Sequence, residues 1–207
     1  MRTVGKVGLI ALAAVVVLAG VSQLVIPPLA EHRVEDRLTD GGGNADVSLS
    51  AFPAARLLFD DGEELSVSGG GLDLALEQQD DVFEKLDGFD RVDVSLTEFQ
   101  AGPFAVASFD LTRPAPSAPY RLVSSSRATP GALAEYGASQ LGFAGGPLLR
   151  FLAEQALGGK RPVPIELDME LRSDGGRVVV VSGGGTVAGI PTGPFAELIT
   201  SAIVVRL

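Results

Sequence analysis

The chain has 207 residues, of which 46% are hydrophobic and 20% are charged, and its formal net charge at pH 7 is −10. This acidic excess repels the phosphate backbone of nucleic acids, so nucleic acid is not expected as a partner. The chain contains no cysteine, which excludes disulfides, thiol catalysis and cysteine-ligated zinc. Stability must therefore come from a buried hydrophobic core.

The N-terminus has the pattern of an export signal or a membrane anchor. Arg2 and Lys6 precede an uncharged apolar run over residues 7–30, and a basic head of this kind stays in the cytoplasm while the following chain crosses the membrane. Residues 7–26 are long enough to span the cytoplasmic membrane, and Pro27-Pro28 is predicted to end that helix. Cleavage before Gln23 is the alternative. In both cases the body lies on the extracytoplasmic side, either anchored or secreted into the envelope.

A short amphipathic helix is predicted over residues 29–38, because Leu29, Val34 and Leu38 lie near one of its faces among charged residues. The glycine-rich segment 40–44 ends it. The predicted division of the chain is a signal peptide or anchor at 1–28, a membrane-proximal helix and linker at 29–44, and a single domain at 45–207.

Alternation of apolar and polar residues with a period of two dominates this domain. Residues 163–171 show it most clearly and predict a strand with one buried face. Residues 173–176 supply a turn, and residues 177–182 return as the hairpin partner. Residues 104–111 are apolar on both faces and are predicted to lie in the middle of a layer. Further short strands are predicted at 46–51, 72–76, 92–96 and 120–123.

Helical periodicity is confined to a few segments. A helix opening at Pro147 presents a broad apolar stripe, formed by Leu148, Leu149, Phe151 and Leu152. Further helices are predicted at 81–86, 129–140 and 194–201. The order of strands, then helices, then strands favours the α+β class, with a curved antiparallel sheet packed against one or two helices.

No residue is assigned a catalytic role. His32 is the single histidine and lies among charged residues, so it is predicted to be solvated, and no Ser-His-Asp triad is expected at 124–126. Carboxylates cluster at 60–64 and 80–84 but lack the spacing of a calcium-binding loop. We predict that they are solvated rather than parts of a calcium site or a glycosidase pair. The chain is thus expected not to be an enzyme and to use no cofactor or metal.

Apolar segments of the exported body suggest a lipid site. A helix with a wide apolar stripe, laid across a curved sheet, leaves a groove for acyl chains wherever the two do not fill the space between them. The predicted lining is Leu148, Leu149, Phe151 and Leu152, and the predicted entrance is Phe52, Leu57, Leu58 and Phe59. An ordinary core is the alternative for the first group, and a buried strand is the alternative for the second.

Several motifs carry a family resemblance. They are the exported N-terminus with its charged helix, then 47–53 (VSLSAFP), 65–72 (LSVSGGGL), 89–94 (FDRVDV) and 189–191 (GIP). In this succession the chain resembles the actinobacterial LmeA-like family, a domain of unknown function, over nearly the whole exported body. The resemblance implies a tubular lipid-binding protein of the cell envelope, related in shape to bactericidal permeability-increasing proteins. It also implies links to phosphoinositide binding and to mannan elongation of envelope lipoglycans.

We therefore expect a cell-envelope protein that binds or presents lipid, with acyl chains held in an apolar groove, in support of envelope lipoglycan assembly. Its expected partners are a membrane lipid or lipoglycan precursor and, through residues 7–26, the cytoplasmic membrane. An envelope protein is a further expected partner under the alternative function, a non-enzymatic scaffold that binds an envelope enzyme through its sheet. An envelope hydrolase is the third hypothesis.

Overall fold

The computed structural model of the chain describes residues 22–74, 83–131, 161–187 and 190–191. The elements, in chain order, are helix α1 (22–39), strand β1 (Asn44–Ser50), a 3₁₀ helix (Ala54–Phe59), β2 (Gly62–Gly70), β3 (Asp73–Leu74), helix α2 (Glu84–Asp87), β4 (Phe89–Ala101), β5 (Phe104–Arg113), β6 (Tyr120–Ala128), β7 (Val163–Asp174), β8 (Arg177–Val187) and β9 (Ile190–Pro191). Pro130 and Gly131 are helical, as the predicted helix at 129–140 requires. The remainder of that helix and the predicted helices at Pro147 and 194–201 lie outside the described residues.

The strands form one open, curved sheet in the order β1-β2-β4-β5-β6-β7-β8-β9, and β3 pairs with β4 beyond the end of β2. The α+β class is confirmed. The prediction of an antiparallel sheet is wrong at one place, because β2 and β3 both run parallel to β4. The chain from β3 to β4 returns through α2 and is a crossover, and a crossover connects parallel strands.

The hairpin of β7 and β8 confirms the clearest strand prediction. Every second residue of β7 from Val163 to Leu171 is buried, with exposures of 7% or less, and the residues between them are exposed. The turn uses Gly175 and Gly176, both with positive φ, which glycine adopts without steric cost. Strand β8 is less buried than its valine run suggested, since Val179 and Val181 are 45% and 46% exposed.

Strand β5 lies between β4 and β6, in the interior of the sheet, as predicted for residues 104–111. A β-bulge interrupts its pairing with β6 between Val106 and Ser108. An extra residue shifts the alternation by one position. The bulge thus keeps both Val106 and Phe109 on the buried face, at 2% and 0% exposure, although three positions separate them.

Helix α1 contradicts the predicted helix end at Pro27-Pro28, because residues 22–39 are continuously helical. Each proline lacks an N–H and removes one helical hydrogen bond, but packing downstream holds the helix together. Leu38 is fully buried in the core. Three further α1 side chains pack against the core: Ile26, Ala30 and Val34. Among the residues that the structure describes, no helix combines the length and the apolar character needed to cross a bilayer.

Candidate functional site

Three large apolar side chains project into solvent from the connection between β1 and β2. Phe52 is 73% exposed, Leu58 is 67% exposed and Phe59 is 82% exposed. We call these three residues the apolar tip. They belong to the predicted entrance group, whose fourth member, Leu57, is 7% exposed and packs in the core. The alternative of a buried strand is wrong here, because residues Ala54–Phe59 form a 3₁₀ helix.

The apolar tip is held by a defined loop. Ala54 is fully buried and anchors the 3₁₀ helix together with Leu57. The Arg56 guanidinium donates two hydrogen bonds to the Asp61 carboxylate, with distances of 2.9 and 2.7 Å, and the Asp61 amide donates to the Arg56 carbonyl. The hydrogen bonds from Arg56 hold the pKa of the Asp61 carboxyl below its usual value. Leu58 and Phe59 are therefore displayed by a hydrogen-bonded turn.

Helix α1 passes directly beside this loop. With its amide nitrogen turned toward the loop, Gln23 donates to the Ala51 carbonyl at 3.2 Å and accepts from the Ala54 amide at 2.9 Å. These two backbone groups flank Phe52 and Pro53. Leu24, the next residue of α1, is 78% exposed. The apolar tip thus lies at the end of α1 that follows the N-terminal apolar run.

The same helix covers the open edge of β1. The Glu31 carboxylate accepts from the Leu49 amide at 2.9 Å, and the Glu35 carboxylate accepts from the Val47 amide at 3.3 Å. Glu31 and Glu35, four residues apart on α1, thus reach two amides that are two residues apart on β1. An uncovered strand edge invites pairing with another chain. We call Glu31 and Glu35 the edge clamp, since together they cover this edge.

A small pocket of about 200 Å³ lies between α1, the 3₁₀ helix and α2. Its apolar walls include Leu49, Leu57, Leu65, Leu86 and Phe89, and its charged residues are Arg33, Arg37, Lys85 and Asp60. The apolar residues are buried and the charged residues are exposed. The pocket therefore has an apolar floor and a basic rim, and we call it the basic-rimmed pocket.

The rim of the pocket is positively charged, although the chain as a whole is acidic. Three cationic side chains face one carboxylate, although acidic residues outnumber basic ones by 26 to 16 overall. Within the described part of the chain, Arg33, Arg37 and Lys85 form no ion pair with any carboxylate. Guanidinium and ammonium groups without a partner attract phosphate or carboxylate. The pocket thus suits an amphipathic ligand with an anionic group.

The sequence prediction missed this rim, because its cations come from two distant segments. Arg33 and Arg37 are four residues apart on α1, whereas Lys85 lies on α2. The available signal was the pair of arginines at i,i+4, which places like charges on one helix face. Leu57 was predicted to belong to the lipid entrance, and it does line this pocket.

A polar network around the buried Arg113 fixes α2, which contributes Lys85 and Leu86 to the pocket. Arg113 is 4% exposed and donates to the Asp87 carboxylate at 3.2 Å and to the backbone carbonyls of Leu86 and Phe89. The Tyr120 hydroxyl donates to the same carboxylate at 2.9 Å, and the Ser173 hydroxyl donates to its second oxygen. We call Arg113, Asp87, Tyr120 and Ser173 the Asp87 clasp.

The Asp87 carboxylate is the centre of the Asp87 clasp. Both carboxylate oxygens of Asp87 are engaged by fold residues, and the Arg113 guanidinium also lies 4.7 Å from the centre of the Tyr120 ring. Burial raises the pKa of the Tyr120 hydroxyl above its usual value. The Arg113 Nε is buried without a hydrogen-bond partner among the described residues, whereas the terminal guanidinium nitrogens hold α2 against the sheet.

Two wider grooves are open to solvent and rich in carboxylates. One, of about 470 Å³, is lined in part by Glu63, Glu64 and Asp90, and the other, of about 360 Å³, by Glu166 and Asp168. Such surfaces repel anions. No group of three metal-ligating side chains is present among the described residues.

The single histidine lies at the protein surface. The His32 side chain is 74% exposed and bonds to Glu35 at 3.1 Å, so the prediction of a solvated histidine is confirmed. The predicted lipid-lining residues Leu148, Leu149, Phe151 and Leu152 lie outside the described residues. Their role stays a prediction.

Comparisons of the chain with models of known protein families, with functionally curated proteins and with solved structures gave no significant match. The resemblance to the LmeA-like family therefore stays a prediction.

Proposed function

We propose that this chain is a non-enzymatic protein of the cell envelope that binds an anionic lipid and presents it at the outer face of the cytoplasmic membrane. The observation that carries the proposal is the basic-rimmed pocket, with its apolar floor, next to the exposed apolar tip. An anionic lipid is bound best by a charged and an apolar surface side by side, and both are present at the end of the molecule that follows the N-terminal apolar run.

The head group is assigned to the rim of the pocket. A volume of about 200 Å³ is smaller than the roughly 300–1,000 Å³ typical of sites that enclose a whole small molecule. It accommodates a phosphate and a few neighbouring atoms rather than two acyl chains. Arg33, Arg37 and Lys85 would donate charge-assisted hydrogen bonds to the phosphate oxygens.

The acyl chains then need further apolar surface. Leu57 continues the pocket floor toward the apolar tip, and the predicted stripe from Leu148 to Leu152 supplies a second surface. Each square ångström of apolar area removed from water stabilises the complex by about 25 cal/mol. A tubular arrangement of helix and sheet, as in the resembled family, would provide this area, and support of lipoglycan assembly would follow from presenting such a lipid.

The test is to identify lipid that co-purifies with the full chain by extraction and mass spectrometry. We expect an anionic phospholipid or lipoglycan precursor in near-equal amount to the protein. A pocket variant with Arg33→Ala, Arg37→Ala and Lys85→Ala is expected to retain at least about tenfold less, because three contacts to a charged group are lost.

A matched control variant carries Arg91→Ala, Arg121→Ala and Arg127→Ala. These three arginines are exposed and lie outside the pocket. The control variant therefore loses three positive charges, as the pocket variant does, but keeps the pocket residues. It should retain lipid at the wild-type level. Equal loss in both variants would mean that overall charge, not the pocket, governs retention. Wild-type protein without any lipid would overturn the proposal and favour the alternative function, a non-enzymatic scaffold that binds an envelope enzyme.

A further inference from the structure

We infer that the apolar tip inserts into the interfacial region of the outer leaflet, and that α1 sets the orientation in which it does so. The inference rests on the proposed location beside a membrane but not on a lipid in the basic-rimmed pocket. It assigns to Phe52, Leu58 and Phe59 a partner of stated chemistry, the bilayer surface.

The first step is the exposure of the tip. Each of its three side chains is at least 67% exposed, although the neighbouring Ala54 and Leu57 are buried. Contiguous exposed apolar side chains on a folded protein mark an interaction surface. The Arg56–Asp61 hydrogen bonds and the buried side chains of Ala54 and Leu57 hold the loop that carries the tip.

The second step identifies the bilayer as the occupant. Gln23 joins α1 to the loop on both sides of Phe52, and the sequence carries no charged residue between Lys6 and Glu31. Leu24 and Val25, on the intervening part of α1, are 78% and 47% exposed. Exposed apolar side chains thus occur both on the tip and at the start of α1, the helix that follows in sequence the apolar run of residues 7–21, which is predicted to enter the membrane.

The third step compares the bilayer with a second copy of the chain. Large aromatic side chains bury about 150–250 Å² each. Because the three tip residues are only 67–82% exposed, they offer less than about 600 Å² in total. A stable protein interface buries about 800 Å² per partner. The tip is too small for such an interface, whereas a few side chains are enough to supplement an existing membrane attachment.

The absence of native cysteine allows a direct test with single-cysteine variants of the full chain. Phe59→Cys places an environment-sensitive fluorophore on the tip, and Val181→Cys, on β8, is a control at an exposed apolar residue far along the sheet order. In neutral phosphatidylcholine vesicles, nitroxide-labelled lipids are expected to quench the label at position 59 at least fivefold more than the label at position 181. Equal quenching at the two positions would overturn the inference.

The same labels separate this inference from the proposed function. In the pocket variant, lipid retention should fall while quenching at position 59 is unchanged, because neutral lipid suffices for insertion. Co-purified lipid in the wild type without tip quenching would overturn the inference alone. Tip quenching without any co-purified lipid would support the inference and overturn the proposed function. In detergent solution, the fluorescence emission of the label at position 59 should not depend on protein concentration. A blue shift of this emission that grows with protein concentration would indicate self-association and would overturn insertion.

Discussion

The edge clamp and the Asp87 clasp both use carboxylates to join a helix to the sheet, but they differ in burial and in what they hold. In the clasp, a nearly buried arginine, a tyrosine and a serine surround one carboxylate. In the clamp, Glu31 and Glu35 accept from backbone amides of β1 at a partly exposed surface. The comparison indicates that the clasp maintains the fold, whereas the clamp sets the position of α1 and of the apolar tip.

Removing the cation of the clasp should have the largest effect on stability. Arg113→Leu removes the cation that pairs with the Asp87 carboxylate, and one donor to each of three backbone carbonyls, those of Leu86, Asp87 and Phe89. Loss of one partner of a buried pair costs about 3–5 kcal/mol, and we expect the lower end, about 3 kcal/mol, because the Asp87 side chain is 34% exposed. Urea unfolding followed by circular dichroism measures this free energy of unfolding.

The matched control is Arg121→Leu, which breaks the exposed pair with Asp168 at 3.6 Å. Exposed pairs contribute at most about 1 kcal/mol. Similar losses for the two variants would show that burial does not distinguish the clasp from a surface pair.

Breaking the edge clamp should have a smaller and more local effect. Glu31→Ala with Glu35→Ala removes two acceptors, each contributing about 1 kcal/mol. Hydrogen exchange at the Leu49 and Val47 amides is expected to become at least tenfold faster, while amides of β6 and β7 change only by the global loss. Asp36→Ala, at an exposed residue of the same helix, is the control. Unchanged protection of Val47 and Leu49 would contradict the role of the clamp.

The clasp also predicts a dependence on alkaline pH. Since the pKa of Tyr120 is raised in the folded state, the neutral hydroxyl stabilises the fold fully below its ordinary pKa of 10.0, and this stability is lost as the pH rises further. Tyr120→Phe should lower the free energy of unfolding by about 1 kcal/mol at pH 7. Between about pH 9 and pH 12, the free energy of unfolding should fall less steeply with pH in this variant than in the wild type. Unfolding free energies measured across this range test the slope, and identical slopes would refute the assignment.

The smallest expected effect is confined to the loop of the apolar tip. The pKa of Asp61 is lowered in the folded state, so its contribution is present above its ordinary value of 3.8 and is lost as the pH falls below it. A nitroxide at position 59 should therefore become more mobile at about pH 3 than at about pH 6. In Asp61→Asn it should be mobile at both values, with Asp90→Asn behaving like the wild type. No difference between Asp61→Asn and the wild type would contradict a loop held by this pair.

Features that depend on one-sided burial could be predicted from the sequence. The alternation from Val163 to Leu171 predicted β7 because a strand with one buried face must repeat every two residues. Strand direction leaves no such pattern, so the parallel pairing of β2 with β4 was not predicted. The rule that prolines end helices failed at Pro27-Pro28, because tertiary packing of α1 outweighs two lost hydrogen bonds.

The candidate site was predictable only in part. Phe52, Leu58 and Phe59 stood out as an apolar cluster, but their exposure depends on the 3₁₀ helix that turns Leu57 inward. The carboxylates of Glu31 and Glu35 look like solvated helix residues in the sequence, since a backbone acceptor site is invisible without the strand beside it. The basic rim exists because the crossover brings α2 next to α1.

The central claim, that the basic-rimmed pocket selects an anionic lipid, is tested most directly by native mass spectrometry of the full chain released from micelles that contain equal amounts of phosphatidylglycerol and phosphatidylcholine. We predict one bound phosphatidylglycerol per chain for the wild type and for the control variant with Arg91, Arg121 and Arg127 replaced. The pocket variant should bind neither lipid above background. Equal retention of the two lipids by the wild type, or unchanged phosphatidylglycerol binding by the pocket variant, would contradict the claim.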